Sequence, residues 1–218
     1  MFRRAPGFMD VVAYTGTGSA SQTIQHNLGA APELIIGKGR SFVSDWPVYY
    51  GSGIFNMFLN LTQGNTGNGT YYETGALYST ITSTSQFEVS LLTGGNATKS
   101  MNTAGEDYIL YLFATLPGVS KVGSYTGTGA DINVDCGFSA GARFVLIKRT
   151  DSTGDWYVWD SARGIVSGND PYLLLNSTAA EVTSTDYIDP LASGFTVTSS
   201  APAALNASGG NYLFMAIA

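Results

Sequence analysis

Tyr14-Thr-Gly-Thr-Gly18 recurs as Tyr125-Thr-Gly-Thr-Gly129, and the reading of that pair decides the fold. An alternating run follows each copy, Ser21-Gln-Thr-Ile-Gln-His26 in one half and Asp131-Ile-Asn-Val-Asp-Cys136 in the other. Period-two alternation is what a strand with one wet face requires. Next comes a Gly-containing turn and then an apolar run ending in lysine, Glu33-Leu-Ile-Ile-Gly-Lys38 against Arg143-Phe-Val-Leu-Ile-Lys148. Asp45-Trp46 matches Asp155-Trp156, Leu59-Asn60 matches Leu175-Asn176, and Phe87-Glu-Val89 matches Phe195-Thr-Val197. Both halves close on an Asn/Gly turn and an apolar strand, Tyr108-Ile-Leu-Tyr-Leu-Phe113 and Tyr212-Leu-Phe-Met-Ala-Ile217. So many landmarks in one order imply an internal duplication.

Working outward, short runs bounded by Gly, Asn, Asp, Ser or Pro predict about 7 to 8 strands per copy. The fold class is therefore all-β, with two tandem β-sandwich modules of jelly-roll or immunoglobulin-like type. An N-terminal arm is expected at 1–10, module 1 at 11–116 and module 2 at 117–218. Leu116-Pro-Gly-Val-Ser120 reads as the connector. The offset between copies is 111 at Tyr14/Tyr125 and 104 at Tyr108/Tyr212, so the halves differ in their loops. The unequal segments are Gln63–Thr70 and Ser161–Asp170. Loops are where insertion is tolerated and where binding usually sits.

Composition excludes several classes. Hydrophobic residues are 44% and charged residues 12%, with polarity carried by Ser, Thr, Asn and 27 Gly. A net charge of −6 with scattered Lys and Arg argues against a nucleic-acid surface, which needs clustered cations. No stretch approaches the roughly 18 apolar residues of a membrane span, so no membrane insertion is expected. Arg3-Arg4 precedes Ala5-Pro-Gly-Phe-Met-Asp10 rather than an apolar run, so no signal peptide is read there. The single thiol, Cys136, has no internal disulfide partner.

His26, the only histidine, takes the place that Cys136 fills in the second copy. A catalytic base or a metal ligand would not ordinarily interchange with cysteine in a matching frame. No catalytic residue, metal or cofactor is therefore expected, and the chain does not read as an enzyme. Asp155 and Asp160 flank Trp156 and Trp159; as paired carboxylates they could serve glycoside hydrolysis, but two other readings fit better. One is a turn Asp leading into a strand whose Trp packs between sheets. The other is a sugar-binding surface where Trp and Tyr stack on a ligand. The candidate ligand-binding set is Trp46, Tyr49, Asp155, Trp156 and Trp159, joined by the loop residues Asn65, Asn68 and Asn169. Thr-Gly-Thr-Gly is expected to be a hairpin turn, because no Lys-Ser/Thr follows to make a phosphate loop. Asn-x-Ser/Thr tripeptides stand at Asn60, Asn68, Asn96, Asn176 and Asn206.

Phe2-Arg-Arg-Ala-Pro-Gly-Phe8, Val11-Val-Ala-Tyr-Thr-Gly16 and His26-Asn-Leu-Gly-Ala-Ala-Pro-Glu-Leu-Ile-Ile36 resemble a β-module of tailed-bacteriophage and prophage tail proteins. Val145-Leu-Ile-Lys-Arg-Thr-Asp-Ser-Thr-Gly-Asp-Trp156 and Leu174-Leu-Asn-Ser-Thr178 resemble the C-terminal module of the same tail-fibre proteins. The resemblance implies a virion protein acting in host attachment by receptor binding, through contact with bacterial surface glycan or protein. It also implies a homo-oligomer, a trimer in such fibres, joined to other virion proteins through the N-terminal arm. Open alternatives are a capsid decoration or tail-assembly protein without ligand recognition, and a glycan depolymerase accessory module. The first copy departs from the pattern at Gly39-Arg-Ser-Phe-Val-Ser-Asp-Trp46, where such modules carry a basic, Asp-containing turn.

Overall fold

Each half of the chain folds its strands into a five-stranded and a three-stranded antiparallel sheet that share one apolar core. The computed structural model describes residues 4–51, 57–64, 78–79, 81, 83–91 and 100–218. Two compact units result: unit 1 is Met1–Leu59 with Gly67–Ala114, and unit 2 is Asn60–Thr66 with Thr115–Ala218.

In unit 1 the strands are β1 (Met9–Thr15), β2 (Ser21–Gln25), β3 (Leu34–Gly39), β4 (Pro47–Tyr50), β5 (Met57–Phe58), β6 (Tyr78–Ser79), β7 (Gln86–Ser90) and β8 (Asp107–Phe113). In unit 2 they are β9 (Ser120–Thr126), β10 (Ile132–Asp135), β11 (Phe144–Arg149), β12 (Trp156–Asp160), β13 (Leu173–Leu174), β14 (Ile188–Leu191), β15 (Gly194–Val197) and β16 (Asn211–Ile217). A one-turn helix, α1 (Ala203–Asn206), precedes β16. The larger sheets run β1-β8-β3-β4-β5 and β9-β16-β11-β12-β13; the smaller run β2-β7-β6 and β10-β15-β14. Strand for strand, the orders are the same.

The cause is the alternation seen in sequence. In unit 2, Val145 and Ile147 of β11, Tyr157 and Trp159 of β12, and Tyr212, Phe214 and Ala216 of β16 point to the smaller sheet. Val134 of β10, Ile188 of β14 and Phe195 and Val197 of β15 meet them. Unit 1 repeats this with Ile24, Ile35, Phe87, Val89, Tyr108, Leu110 and Leu112. Each such fully buried aromatic or branched side chain contributes about 1.5–3 kcal/mol.

Thr-Gly-Thr-Gly is not a hairpin turn. β1 pairs with β8 while β2 pairs with β7, so residues 16–20 carry the chain from one sheet to the other. The segment Leu116–Ser120 also has a counterpart. Ala5-Pro-Gly-Phe-Met9 and Leu116-Pro-Gly-Val-Ser120 form the same turn, with Met9 N to Ala5 O and Ser120 N to Leu116 O both at 2.9 Å. Pro at the second position and a positive φ at the third, 78° at Gly7 and 73° at Gly118, give it a type II pattern. Each unit thus opens on a Pro-Gly turn that feeds its first strand, and Met9 and Asp10 already belong to β1. No helix of the described residues is long and apolar enough to cross a membrane.

Candidate functional site

The recurring Tyr-Thr-Gly-Thr-Gly segments are held by a clamp of tyrosines and a buried asparagine. Tyr14 stacks on Tyr108 with centroids 5.1 Å apart and donates to Met101 O at 2.6 Å. Tyr125 stacks on Tyr212 at 4.9 Å and donates to Leu205 O at 2.7 Å. Burial pushes the Tyr125 phenol well above its usual range, so it stays a neutral donor. Asn102 Oδ1 accepts from Thr17 N at 2.8 Å, and its amide donates to Ser19 O at 2.8 Å. Asn206 accepts from Thr128 N and Gly129 N and donates to Ala130 O and Thr198 O. With its side chain buried and fully bonded, Asn206 is no glycan acceptor, despite its tripeptide. The glycines fit because a Cβ at Gly16 would lie 2.2 Å from Thr103 O, and one at Gly127 2.2 Å from Ala207 O.

A second shared constellation surrounds the lysine one residue before the end of β3 and β11. Lys148 pairs with Trp156 in the sheet register, and its Nζ lies 5.9 Å from that ring's centroid. Although charged, Lys148 is 0% exposed. Its ammonium donates to Gly154 O at 2.6 Å and to Thr62 O at 2.9 Å, which makes such burial tolerable. Burial nonetheless brings its pKa down to about 8, against the opposing pull of Asp155. Asn176 joins the end of β13 to the start of β12, accepting from Trp156 N at 2.8 Å and donating to Asp155 Oδ1 at 2.7 Å. In unit 1, Lys38 Nζ donates to both Ser44 O and Ser44 Oγ and lies 5.6 Å from the Trp46 ring centroid. The apolar run of unit 2 therefore ends in a buried cation.

The candidate ligand residues scatter across these roles. Trp156 and Trp159 are both 0% exposed, so neither presents a ring face to a ligand. Trp159 points into the core between the sheets, stacked on Tyr157, while Trp156 sits beside Lys148. Trp46 is half-buried under Lys38, and Tyr49 packs against the unit 1 core, where burial raises its pKa. Asp155 is bound to Asn176. Asn169 is exposed, whereas Asn65 and Asn68 lie outside the described residues. Asp155 and Asp160 stand five residues apart along an extended strand, about 16 Å. Paired carboxylates of glycoside hydrolysis sit roughly 5–10 Å apart, so these two cannot form that pair. Asp160 instead accepts from Ala162 N and Arg163 N at 3.0 Å and pairs with Arg163.

His26 and Cys136 occupy the same place, just past β2 and β10. His26 accepts from Leu28 N through Nδ1 at 3.3 Å and packs on Phe87, and burial lowers its pKa. The Cys136 thiol is pushed up to about 12 by burial, the reverse of what activates a nucleophile. Among the described residues no group of three or more His, Cys, Asp or Glu is placed to hold a metal ion.

Unit 2 carries a cleft of about 350 Å³ between its edge strands β9 and β10, lined by Lys121, Ser124, Tyr125, Asn133 and Asp135 beside Gly123. A Cβ at Gly123 would meet the Phe214 ring at 2.7 Å, so the missing side chain makes room for that ring, which also lines the cleft. Unit 1 has Val12 at the matching position. Sequence reasoning passed over this cleft, because it is formed between strands of different sheets and no local pattern marks it.

Fold and frame together define a class: a two-unit all-β sandwich protein whose recurring polar residues bond inward to backbone. The chain belongs to the family described as a domain of unknown function (DUF7483), which matches residues 3–218. No curated protein and no solved structure matches it.

Proposed function

We propose that the chain is a virion protein of a tailed bacteriophage, of tail-fibre type, that carries a host-attachment surface. The observation that supports a binding or assembly role is the state of the shared residues. Lys148, Asn102, Asn206, His26 and Cys136 are buried or turned to backbone, and the carboxylates Asp155 and Asp160 are too far apart to act together. The sequence resemblance supplies the phage context. Within unit 2, the cleft beside Gly123 offers a cation, an anion and two neutral polar side chains over the edge of a β-sandwich, a lining suited to a sugar.

The second reading is a decoration or assembly protein with no ligand, favoured by Val43 and Leu175, apolar side chains left on the surface. Competition for phage adsorption separates the two. Purified protein at about 10 μM, a range where weak single-site binding shows, is expected to bind host cells and slow adsorption. Lys121→Ala with Asn133→Ala should weaken that binding. A protein that binds no host cells, with antibody labelling confined to the capsid shell, would leave the assembly reading.

A further inference from the structure

Unit 2 is completed by a strip that does not follow it in sequence. Residues 60–66 leave β5 of unit 1, yet they belong to unit 2. Thr62 O accepts from Lys148 Nζ at 2.9 Å and from Gly154 N at 2.8 Å. Gly64 lies so close to the β11–β12 turn that a Cβ would stand 2.2 Å from Ser152 O. The strip is a lid on the lysine turn.

The corresponding turn of unit 1, Arg40–Ser44, has Lys38 bonded only to Ser44, so one of its three ammonium donors has no partner among the described residues. Lys38 is half-buried rather than buried, and Val43 in the same turn is 87% exposed. The segment that leaves β13 in unit 2, Leu175–Glu181, corresponds in topology to the one that leaves β5. Leu175 is 45% exposed, Thr178–Glu181 are exposed, and no described donor reaches the Thr178 carbonyl. One molecule therefore carries an uncapped lysine turn and an unused capping segment.

We propose that the Leu175–Ala179 segment of one molecule caps the Lys38–Val43 turn of a second copy of this chain, with the Thr178 carbonyl taking the place that Thr62 holds over Lys148. The contact is head-to-tail, so repetition closes a ring or extends a filament. The match ends at Ala179, because Ala180 stands where Gly64 must lack a Cβ. This inference does not depend on the virion reading.

Sedimentation of the full chain over about 1–100 μM tests it, a span where contacts of this size associate. Val43→Asp and Leu175→Asp alter exposed side chains, so both variants keep the fold. Each is expected to weaken self-association by about tenfold or more. An equimolar mixture of the two should form dimers and nothing larger, since one supplies the intact segment and the other the intact turn. Val43→Cys with Thr178→Cys should give a ladder of disulfide-linked oligomers under mild oxidation, Cys136 being buried. A chain that stays monomeric at 100 μM, or an assembly indifferent to both substitutions, overturns the proposal. So does a mixture that forms no dimer.

Discussion

The segments from Lys38 to Asp45 and from Lys148 to Asp155 have the same length and lead to the same Asp-Trp pair, yet the two lysines end in different states. In unit 2 the lysine is sealed beneath Thr62, with two carbonyls as acceptors. In unit 1 it lies partly open beside an exposed valine. The lysine belongs to the frame, and what covers it is set by a segment remote in sequence. A buried ammonium costs several kcal/mol unless acceptors meet it, so the cover and the burial come together.

Four effects break or sharpen the comparison. The largest effect belongs to the sheet-crossing glycines. Gly127→Ala and Gly16→Ala each drive a methyl into a backbone carbonyl that cannot turn aside. Each should cost about 3 kcal/mol, seen as a lower denaturation midpoint, with the two losses alike if the frame is equivalent. Next comes Asn206→Ala, which strands two N–H groups and two carbonyls and should cost about 2–3 kcal/mol. Asn102→Ala, with fewer bonds to lose, should cost less.

The third effect is a pH slope. Burial lowers the Lys148 pKa from 10.5 to about 8, so across that window the unfolded chain holds a proton that the folded chain does not. Stability linked to this group therefore rises with pH through the window, on the order of 2 kcal/mol. Lys148→Met should flatten that rise in urea titrations while lowering stability by leaving Gly154 O without its ammonium donor and Thr62 O with Gly154 N alone. The smallest effect lies in the β12–β13 loop, which is longer in sequence than its counterpart in unit 1. Burial raises the Asp170 pKa from 3.8 to about 6, helped by Asp189 and Asp186. Its contribution is present below pH 3.8 and is lost as pH rises through 6. Asp170→Asn should match the parent near pH 4 and exceed it by about 1–2 kcal/mol at pH 7.

Much of the fold was legible because alternation and turn residues act locally. Ser21–His26, Glu33–Lys38, Tyr108–Phe113 and their partners become β2, β3, β8 and theirs with shifts of a residue. Which strands pair was not legible, since register is set by distant partners; hence the misread sheet crossing at Gly16–Gly18. The Pro-Gly turn at Ala5–Met9 was legible and overlooked: its match at Leu116–Ser120 lies at the same offset as the tyrosines. The candidate site fared worse. Aromatic residues serve core and surface alike, and nothing in Trp-Tyr-Val-Trp shows that both tryptophans are buried. The burial of Lys148 was not legible, because its acceptors, Thr62 O and Gly154 O, are carbonyls, which every residue carries.

Amine acylation with peptide mass mapping at pH 8, on protein dilute enough to be monomeric, tests the contrast between the two turns most directly. With a pKa near 8, Lys148 would react faster than an ordinary lysine if reagent could reach it. Lys38 and Lys121 should be modified, with Lys148 at least about tenfold slower for want of access. Modification of Lys148 as fast as Lys38 would contradict the sealed turn of unit 2 and the difference between the units built on it.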